Sequence, residues 1–352
     1  MMKSSRLVPG FMVCILCSIA CLNEAAARED TTVNNKPTPV IIFDTDMGND
    51  IDDALAQLMA HRASAAGRIQ FPLVTSSNAS PWAVPGIQAI LKYYKQDSVE
   101  VGGCAATIGL AHGAFTQKIA EEMHLPASEA RDAVKLLRKV LHEQKDGSVR
   151  VVVTGFSTNL AILLDTEANH EGDAIPLSGK DLVRQKVEFL SMMAGDSERP
   201  EFTEFNVKEN IPAARKVLAE WPTPVYISGY EIGSRVFSRG DLLQKTLLPD
   251  NPVWVAYKTF FQDVLKDKKW DRPSWDQTAM LWALEPDKGH FDLKGPGTIE
   301  VGEKGETLFS ENRPSSPARY FLRFKDSIPS EKIEEILQSW YAEPGAELKT
   351  GG

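Results

Sequence analysis

Cysteine is scarce in this chain of 352 residues, which contains only four. Cys14, Cys17 and Cys21 lie within the first 27 residues, and Cys104 is the only cysteine that follows. A single thiol excludes an internal disulfide and a thiolate metal site from the sequence after residue 27. Histidine is also rare, with six copies scattered along the chain, so the sequence does not favour a zinc site built on imidazoles.

The chain also has fewer basic than acidic residues, and it has no long apolar run. Lys and Arg number 39 against 48 Asp and Glu, which gives a formal net charge of -9. Without a basic tract, neither nucleic acid nor an anionic membrane surface is an expected partner. The apolar run over residues 7–22 is shorter than the roughly 20 residues that a membrane-spanning helix needs, so we expect no membrane span.

The first 27 residues have the pattern of a secretory signal peptide. Lys3 and Arg6 precede the apolar run, and the three alanines at 25–27 offer a small-residue cleavage site. The segment SIAC, which ends at Cys21, is similar to a lipoprotein cleavage site, so a lipid anchor through Cys21 stays open, as does a retained N-terminal anchor. We therefore expect an exported protein, periplasmic or extracellular, in which residues 28–38 are a disordered lead-in and residues 39–352 form one domain.

Short β-rich runs alternate with helical patterns after residue 39. This alternation predicts an α/β fold with an open, mostly parallel, Rossmann-like sheet and helices on both faces. A turn sequence at 303–306 predicts a late hairpin, and apolar residues at helical spacing predict a last helix over 331–341. The predicted strands cover residues 40–43, 71–76, 99–102, 149–154, 187–192 and 225–228, and the predicted helices cover 53–64, 85–95, 128–143, 159–164 and 211–220.

Polar and acidic residues follow four of the predicted strands. The densest group is DTDMGNDIDD at residues 44–53, with five aspartates in ten positions; the others are SSNASPW, TGFSTN and MAGDSERPEFTEFN. Because ligands of open α/β sheets bind outside the carboxyl ends of the strands, these segments predict a functional site. Helix capping explains one or two of the acids, whereas five crowded carboxylates favour a hard divalent cation, Ca²⁺ or Mg²⁺.

These segments resemble those of the inosine–uridine-preferring nucleoside hydrolases. That family has an Asp-x-Asp-x-Gly-x-Asp-Asp-Ala motif, which DTDMGNDIDDA matches with two extra residues. TGFSTNLAILL, EFTEFNVKENIPAARKVL, PVYISGYEIG and SWDQTAML are similar to later family segments, and the resemblance spans residue 40 to about residue 285. It implies the family's fold, a ribonucleoside substrate and a homo-oligomer, dimeric or tetrameric.

The resemblance also implies a set of site residues around one Ca²⁺ ion per chain. The ion would be ligated by Asp46, Asp53, the backbone carbonyl of Thr158, and Asp276. The ribose hydroxyls would be held by Asp52, Asn78, Glu204 and Asn206. Asp46 would deprotonate a water on the ion for attack on the ribose anomeric carbon, which hydrolyses the N-ribosyl bond to ribose and free base. The carboxylates would stabilise the oxocarbenium-like transition state.

Two positions depart from the family's pattern. The extra residues make Asp50 a further candidate beside Asp52 and Asp53. Trp275 stands where many members have a His that protonates the departing base, so the leaving-group acid and the base preference stay open. Trp275 could stack on an aromatic aglycone or fill core, and His112 is the nearest substitute acid.

Two other functions stay open. IIFDTDMG, VVVTGFS and MMAGDSE also resemble segments of haloacid-dehalogenase-like phosphatases, in which Asp44 would be the nucleophile and Asp196 a Mg²⁺ ligand. That scheme leaves Asp52, Asp53 and Asp276 without a role. The other alternative is a secreted nucleoside- or sugar-binding protein without turnover, which the loss of the usual His would favour.

Overall fold

The computed structural model describes Met1 and residues 37–104, 113–127, 130–311 and 316–342. Contacts divide the chain into two units, Met1–Pro37 and Thr38–Gly352, and every described strand and helix belongs to the second unit. Apart from Met1, the expected signal peptide lies outside the described residues, as do most of the lead-in and His112. Within the part that is described, no helix combines the length and apolarity needed to cross a membrane.

One large sheet runs through the second unit. Its strands are β1 (Val40–Thr45), β2 (Gln70–Ser76), β3 (Glu100–Gly103), β4 (Val149–Val153), β5 (Val187–Met193), β6 (Val225–Ser228), β9 (Phe291–Val301), β10 (Thr307–Ser310) and β11 (Arg319–Phe324). They form a nine-stranded sheet in the order β10-β9-β11-β6-β5-β4-β1-β2-β3. All neighbours from β11 to β3 are parallel, and β9 and β10 add antiparallel pairs at one edge. A separate antiparallel pair joins β7 (Phe237–Arg239) and β8 (Asp271–Pro273).

Helices connect the parallel strands. They are α1 (Asp52–Ala65), α2 (Ala83–Tyr93), α3 (Ala114–Glu122), α4 (Ala133–Glu143), α5 (Thr158–Asp165), α6 (Gly179–Lys186), α7 (Phe205–Glu209), α8 (Ile211–Glu220), α9 (Tyr230–Gly233), α10 (Gly240–Thr246), α11 (Pro252–Thr259), α12 (Trp275–Leu284) and α13 (Ser330–Tyr341). A π-helical segment, Phe260–Leu265, extends α11, and short 3₁₀ turns lie at His170–Gly172 and Pro286–Lys288.

Both faces of the sheet are covered by apolar cores. Along β1, Ile41 and Phe43 belong to one core, and Val40 and Ile42 belong to the other, because successive strand residues point to opposite faces. Residues of α1, α2, α11, α12 and α13 fill the first core, and residues of α4, α5 and α8 fill the second. The predicted α/β fold, with an open and mostly parallel sheet, is confirmed.

The predicted elements are present with small shifts of their ends. The helix expected from residue 128 begins instead at Ala133, because the Asp132 carboxylate caps it by accepting hydrogen bonds from the N–H groups of Val134 and Lys135, at 2.8 and 2.9 Å. The late hairpin is formed by β9 and β10, and the last helix is α13, with Ile333, Leu337 and Trp340 buried.

Candidate active site

A cavity of about 390 Å³ opens where the first, fourth and fifth strands end. Its lining combines acidic side chains, buried except for the half-buried Asp50, with aromatic rings and one arginine. The acids are Asp46, Asp50, Asp52, Asp53, Glu204 and Asp276. The rings are those of Phe205, Tyr230 and Trp275, and the arginine is Arg272.

Three buried carboxylates form the centre of this lining. Asp52, Asp53 and Asp276 each offer an oxygen, and these oxygens lie within 4.8 Å of one another. Asp52 and Asp53 occupy the first turn of α1, and Asp276 occupies the first turn of α12, so two packed helices bring acids more than 200 residues apart to one point. The backbone N–H of Asp276 donates to Oδ2 of Asp52 at 3.2 Å, which ties the two helix starts together.

Crowding and burial set the electrostatics of the three acids. Burial raises the pKa of Asp52, Asp53 and Asp276 well above the usual range, and repulsion from neighbouring carboxylates raises each further. Asp53 keeps hydrogen bonds from the hydroxyls of Thr45 and Thr154, the latter at 3.1 Å. A donor set of oxygens alone, holding excess negative charge out of water, fits a hard divalent cation such as Ca²⁺.

Asp46 lies directly after β1, beside the three acids. Its Oδ2 accepts a hydrogen bond from Nδ2 of Asn49 at 2.6 Å. Burial raises the pKa of Asp46 to about 7, and its charge in turn raises the pKa of Asp53 and Asp276. Asp46 therefore belongs to the same electrostatic cluster, although its oxygens are not among those that gather within 4.8 Å.

Glu204 and Asn206 border the cavity at the start of α7. The Glu204 carboxylate accepts from the backbone N–H groups of Gly195, Asn206 and Val207, at 3.2, 2.8 and 3.2 Å. Burial nevertheless raises the pKa of Glu204 to about 7. Nδ2 of Asn206 donates to the carbonyls of Thr154 and Met193, at 2.7 and 3.3 Å, which fixes the orientation of the amide.

Two of the predicted site residues are not among those that line the cavity. Asn78 uses both ends of its amide on the backbone: Nδ2 donates to the carbonyl of Asp46 at 3.0 Å, and Oδ1 accepts from the N–H of Ser80 at 2.9 Å. Thr158 is buried at the start of α5, and its hydroxyl accepts from Nδ2 of Asn210 at 2.8 Å. The ribose contact of Asn78 and the carbonyl ligand at Thr158 stay predictions.

Asp50 pairs with an arginine instead of joining the three central acids. Nε of Arg272 lies 2.9 Å from Oδ1 and 3.1 Å from Oδ2 of Asp50, and Nη2 of Arg272 also donates to Oδ2. Arg272 is the only cationic side chain that lines the cavity in the described parts of the chain. Sequence reasoning missed Arg272, because 222 positions separate it from Asp50.

Trp275 lies against the rim of the cavity. Its indole Nε1 donates to the carbonyl of Tyr230 at 3.1 Å, and the two rings are 5.3 Å apart with an angle of 37° between their planes. A Cβ on Gly233 would come within 2.3 Å of Cα of Trp275, so this close approach requires a glycine. Tyr230 and Phe205 were not predicted as site residues, although they lie in two segments that resemble the family, PVYISGYEIG and EFTEFNVKENIPAARKVL.

The late hairpin supports the loop that carries Glu204. The N–H of Asp196 donates to Oγ1 of Thr307 at 3.1 Å, and Thr203 forms a β-bridge with Glu306. Gly195 has a φ of +64° and lies so close to Thr307 that a Cβ would come within 2.6 Å of the hydroxyl. Residues after position 300 thus hold one side of the site.

The acids of the phosphatase alternative have other partners. Oδ2 of Asp44 accepts from Oγ1 of Thr75 at 2.5 Å and from Nδ2 of Asn159 at 2.8 Å, and the side chain is fully buried away from the cavity lining. Asp196 binds the guanidinium of Arg199, with Nε and Nη2 at 2.8 and 2.6 Å from Oδ2. Neither acid lines the cavity, so the geometry does not favour a phosphatase.

Comparisons with known proteins agree with this architecture. The model of the inosine-uridine preferring nucleoside hydrolase family matches residues 41–326, further than the expected end near residue 285. A search of the curated proteins finds no match.

Solved structures share the fold at low sequence identity. A plant nucleoside hydrolase, the PpNRh1 enzyme, is 17% identical with a TM-score of 0.65, over 88% of this chain and 100% of that one. An inosine-uridine preferring nucleoside hydrolase from Bacillus anthracis is 13% identical with a TM-score of 0.62, over 86% and 99%. The type III effector protein XopQ, solved in complex with adenosine diphosphate ribose, is 16% identical with a TM-score of 0.61, over 86% and 92%.

Proposed function

The chain belongs to the inosine-uridine preferring nucleoside hydrolase family, and we propose that it hydrolyses the N-ribosyl bond of ribonucleosides to ribose and free base. One observation carries the proposal: the buried carboxylates of Asp52, Asp53 and Asp276 share a cavity with Asp46, Glu204 and aromatic rings. A phosphatase would need Asp44 in that cavity.

The central acids are the proposed site of one Ca²⁺ ion. The expected ligands are Asp46, Asp53, Asp276 and the carbonyl of Thr158. Asp52 could also ligate the ion, because its oxygen lies within 4.8 Å of those of Asp53 and Asp276. When bound, the cation would offset the repulsion among the carboxylates and lower the pKa of a water molecule.

The protein groups have separate tasks in the proposed reaction. Asp46 takes the proton of the water that attacks the anomeric carbon. Glu204 and Asn206, joined by Asp52 and Asn78, bind the ribose hydroxyls; each carboxylate oxygen of Glu204 can accept more than one hydrogen bond, so its backbone contacts leave capacity for a hydroxyl. The buried acids also favour the positive charge that develops on the sugar.

The aromatic rings suit the departing base. Trp275 and Tyr230 present adjacent faces at the rim, and a purine or pyrimidine can stack there in an offset arrangement. Such stacking orients the base without selecting one hydrogen-bonding pattern, so the proposal covers ribonucleosides as a class.

Ribose release tests the proposal. Protein that begins at residue 28 is incubated with a panel of purine and pyrimidine ribonucleosides, before and after EDTA treatment and Ca²⁺ repletion. We expect metal-dependent release of ribose, and we expect Asp46→Asn to lower turnover about 10²- to 10⁴-fold, the usual contribution of a general base. The matched control Asp241→Asn changes an exposed acid that pairs with Lys245, and it should not alter turnover.

Two results would contradict the proposal, and each would favour one of the two alternative functions. Tight ribonucleoside binding with no ribose release would indicate the binding protein without turnover. Phosphate release from phosphomonoesters, sensitive to Asp44→Asn and without any ribose release, would indicate the phosphatase.

We also propose that the reaction takes place outside the cytoplasm, as the pattern of residues 1–27 indicates. Expression of the full chain followed by fractionation and N-terminal sequencing tests this location. A mature start near residue 28 is expected; a lipid-modified Cys21, lost in Cys21→Ser, would indicate a lipid anchor instead.

A further inference from the structure

We propose that Arg272 is the group that stabilises the departing base, as a permanently charged hydrogen-bond donor in the place of a general acid. The inference rests on the proposed function, and it concerns the departure of the base, the step for which many family members use a His at the position that Trp275 occupies.

The position of Arg272 is fixed from three sides. Its Cζ lies 5.4 Å from the ring centroid of Phe260 and 5.4 Å from that of Trp275, and Asp50 accepts from Nε and Nη2. Nη1 has no hydrogen-bond partner among the residues that the structure describes. Nη1 of Arg272 can therefore donate a hydrogen bond to a ligand beside the aromatic rings that line the cavity.

Charge distinguishes Arg272 from every other polar group that lines the cavity. The remaining titratable lining residues are acids and Tyr230, none of which can place a positive charge beside a leaving base. Burial alone would lower the pKa of Arg272, but the paired Asp50 carboxylate raises it overall. The side chain consequently stays cationic and donates hydrogen bonds without giving up a proton.

The bond changes balance without a protein acid. The oxygen of the attacking water bonds to the anomeric carbon, and Asp46 takes its proton. The C–N bond breaks, and its electron pair stays on the base. The developing negative charge on the base nitrogens and carbonyl oxygens accepts a charge-assisted hydrogen bond from Arg272, and solvent supplies the proton after departure.

A structural role for the same residue makes a different prediction. If Arg272 only holds Trp275 and Asp50 in place, its loss should impair every substrate alike. If it stabilises the leaving group, its loss should impair only substrates with a poor leaving group. Inosine has such a group, whereas p-nitrophenyl β-D-ribofuranoside departs as a stable phenolate that needs little help.

Steady-state kinetics of the Ca²⁺-loaded full-length mature protein with both substrates tests the inference. We expect Arg272→Gln to lower kcat for inosine by about 10²-fold, the effect of removing one preorganised donor, and to change kcat for the p-nitrophenyl riboside by less than about threefold. Arg272→Lys, which keeps the charge, should recover part of the inosine rate.

Arg239→Gln is the matched control. Arg239 is also a partly buried arginine that pairs with carboxylates, those of Glu334 and Asp271, and packs on the ring of Phe237, but it does not line the cavity. It should leave the rates of both substrates unchanged.

The outcomes separate the two proposals. Equal losses for both substrates, or no loss for inosine in a folded Arg272→Gln protein, would overturn the role of Arg272 while the hydrolase stands. Absence of ribose release by the wild-type protein from the whole ribonucleoside panel and from the p-nitrophenyl riboside would overturn the hydrolase itself.

Discussion

The cluster of Asp52, Asp53 and Asp276 predicts an unusual response to the loss of one charge. In Asp276→Asn the side chain keeps its shape, and the backbone N–H at position 276 still donates to Asp52. We expect this protein to be more stable than the wild type without metal and to lose stabilisation by Ca²⁺. Both effects have the same cause, the repulsion among carboxylates that a cation or a neutral side chain relieves.

The geometry sets the size of the effect. Two ionised carboxylates 4.8 Å apart repel by about 3.5 kcal/mol at an effective dielectric constant of about 20. The metal-free protein reduces this repulsion by holding protons, at a cost of about 1.4 kcal/mol for each unit by which a pKa is raised. We therefore expect metal-free Asp276→Asn to gain at least about 1 kcal/mol in free energy of unfolding.

Thermal unfolding with and without Ca²⁺ measures both halves of the prediction. At a Ca²⁺ concentration 100 times the Kd, the wild type should gain about 2.7 kcal/mol. For a unit of about 315 residues, with an unfolding entropy of about 0.66 kcal/mol per kelvin, that gain raises Tm by about 4 °C. Asp276→Asn should show a higher Tm without metal and no more than a small fraction of that response.

The exposed-acid variant Asp241→Asn controls for non-specific effects of charge and salt, and it should respond to Ca²⁺ as the wild type does. A full Ca²⁺ response in Asp276→Asn would show that the ion binds elsewhere. A metal-free Asp276→Asn protein that is less stable than the wild type would refute the electrostatic reasoning.

Two further predictions concern stability away from the cavity. Burial lowers the pKa of His61 from 6.5 to about 4, so the unfolded chain binds the proton more readily between these values. The free energy of unfolding should therefore fall as pH falls through that window, by on the order of 2 kcal/mol from pH 7.5 to 5. Urea unfolding of His61→Gln should lack this part of the pH dependence. The same pH dependence in His61→Gln and the wild type would contradict the assignment to His61. The buried guanidinium of Arg319 donates to four backbone carbonyls at 2.8–3.3 Å, so Arg319→Leu should lower the free energy of unfolding by more than about 3 kcal/mol. Arg323→Leu, on the same strand but 64% exposed, should change it by no more than about 0.5 kcal/mol, and equal losses would show that the carbonyl contacts are not the cause.

The sequence predicted those parts of the fold and site that depend on neighbouring residues. β1 and the aspartates that follow it form one continuous segment, so strand, helix start and acidic cluster could be recognised together. The hairpin and the last helix likewise carry local turn signals and helical spacing. Asp276 entered the predicted site only through the family resemblance, because nothing near it in the chain resembles the first cluster.

Features that depend on long-range packing could not be predicted. The pairing of Arg272 with Asp50 and the approach of Tyr230 to Trp275 join segments that share no sequence pattern. β11 was missed as well: it has an arginine near each end, and Arg319 is buried through contacts with carbonyls about 100 positions earlier in the chain. Propensity is a weak guide to such a strand.

The contact of Thr307 with the loop at Gly195 and Asp196 has a consequence for synthesis. A nascent chain that has emerged only as far as residue 300 already contains every acid of the cavity, yet it lacks the hairpin strand that holds the Glu204 loop. The site is therefore completed late, after most of the polypeptide has left the ribosome. Prematurely terminated products would carry the acidic cluster without a finished Glu204 side of the cavity, so the proposed release of ribose would require full-length translation as well as folding.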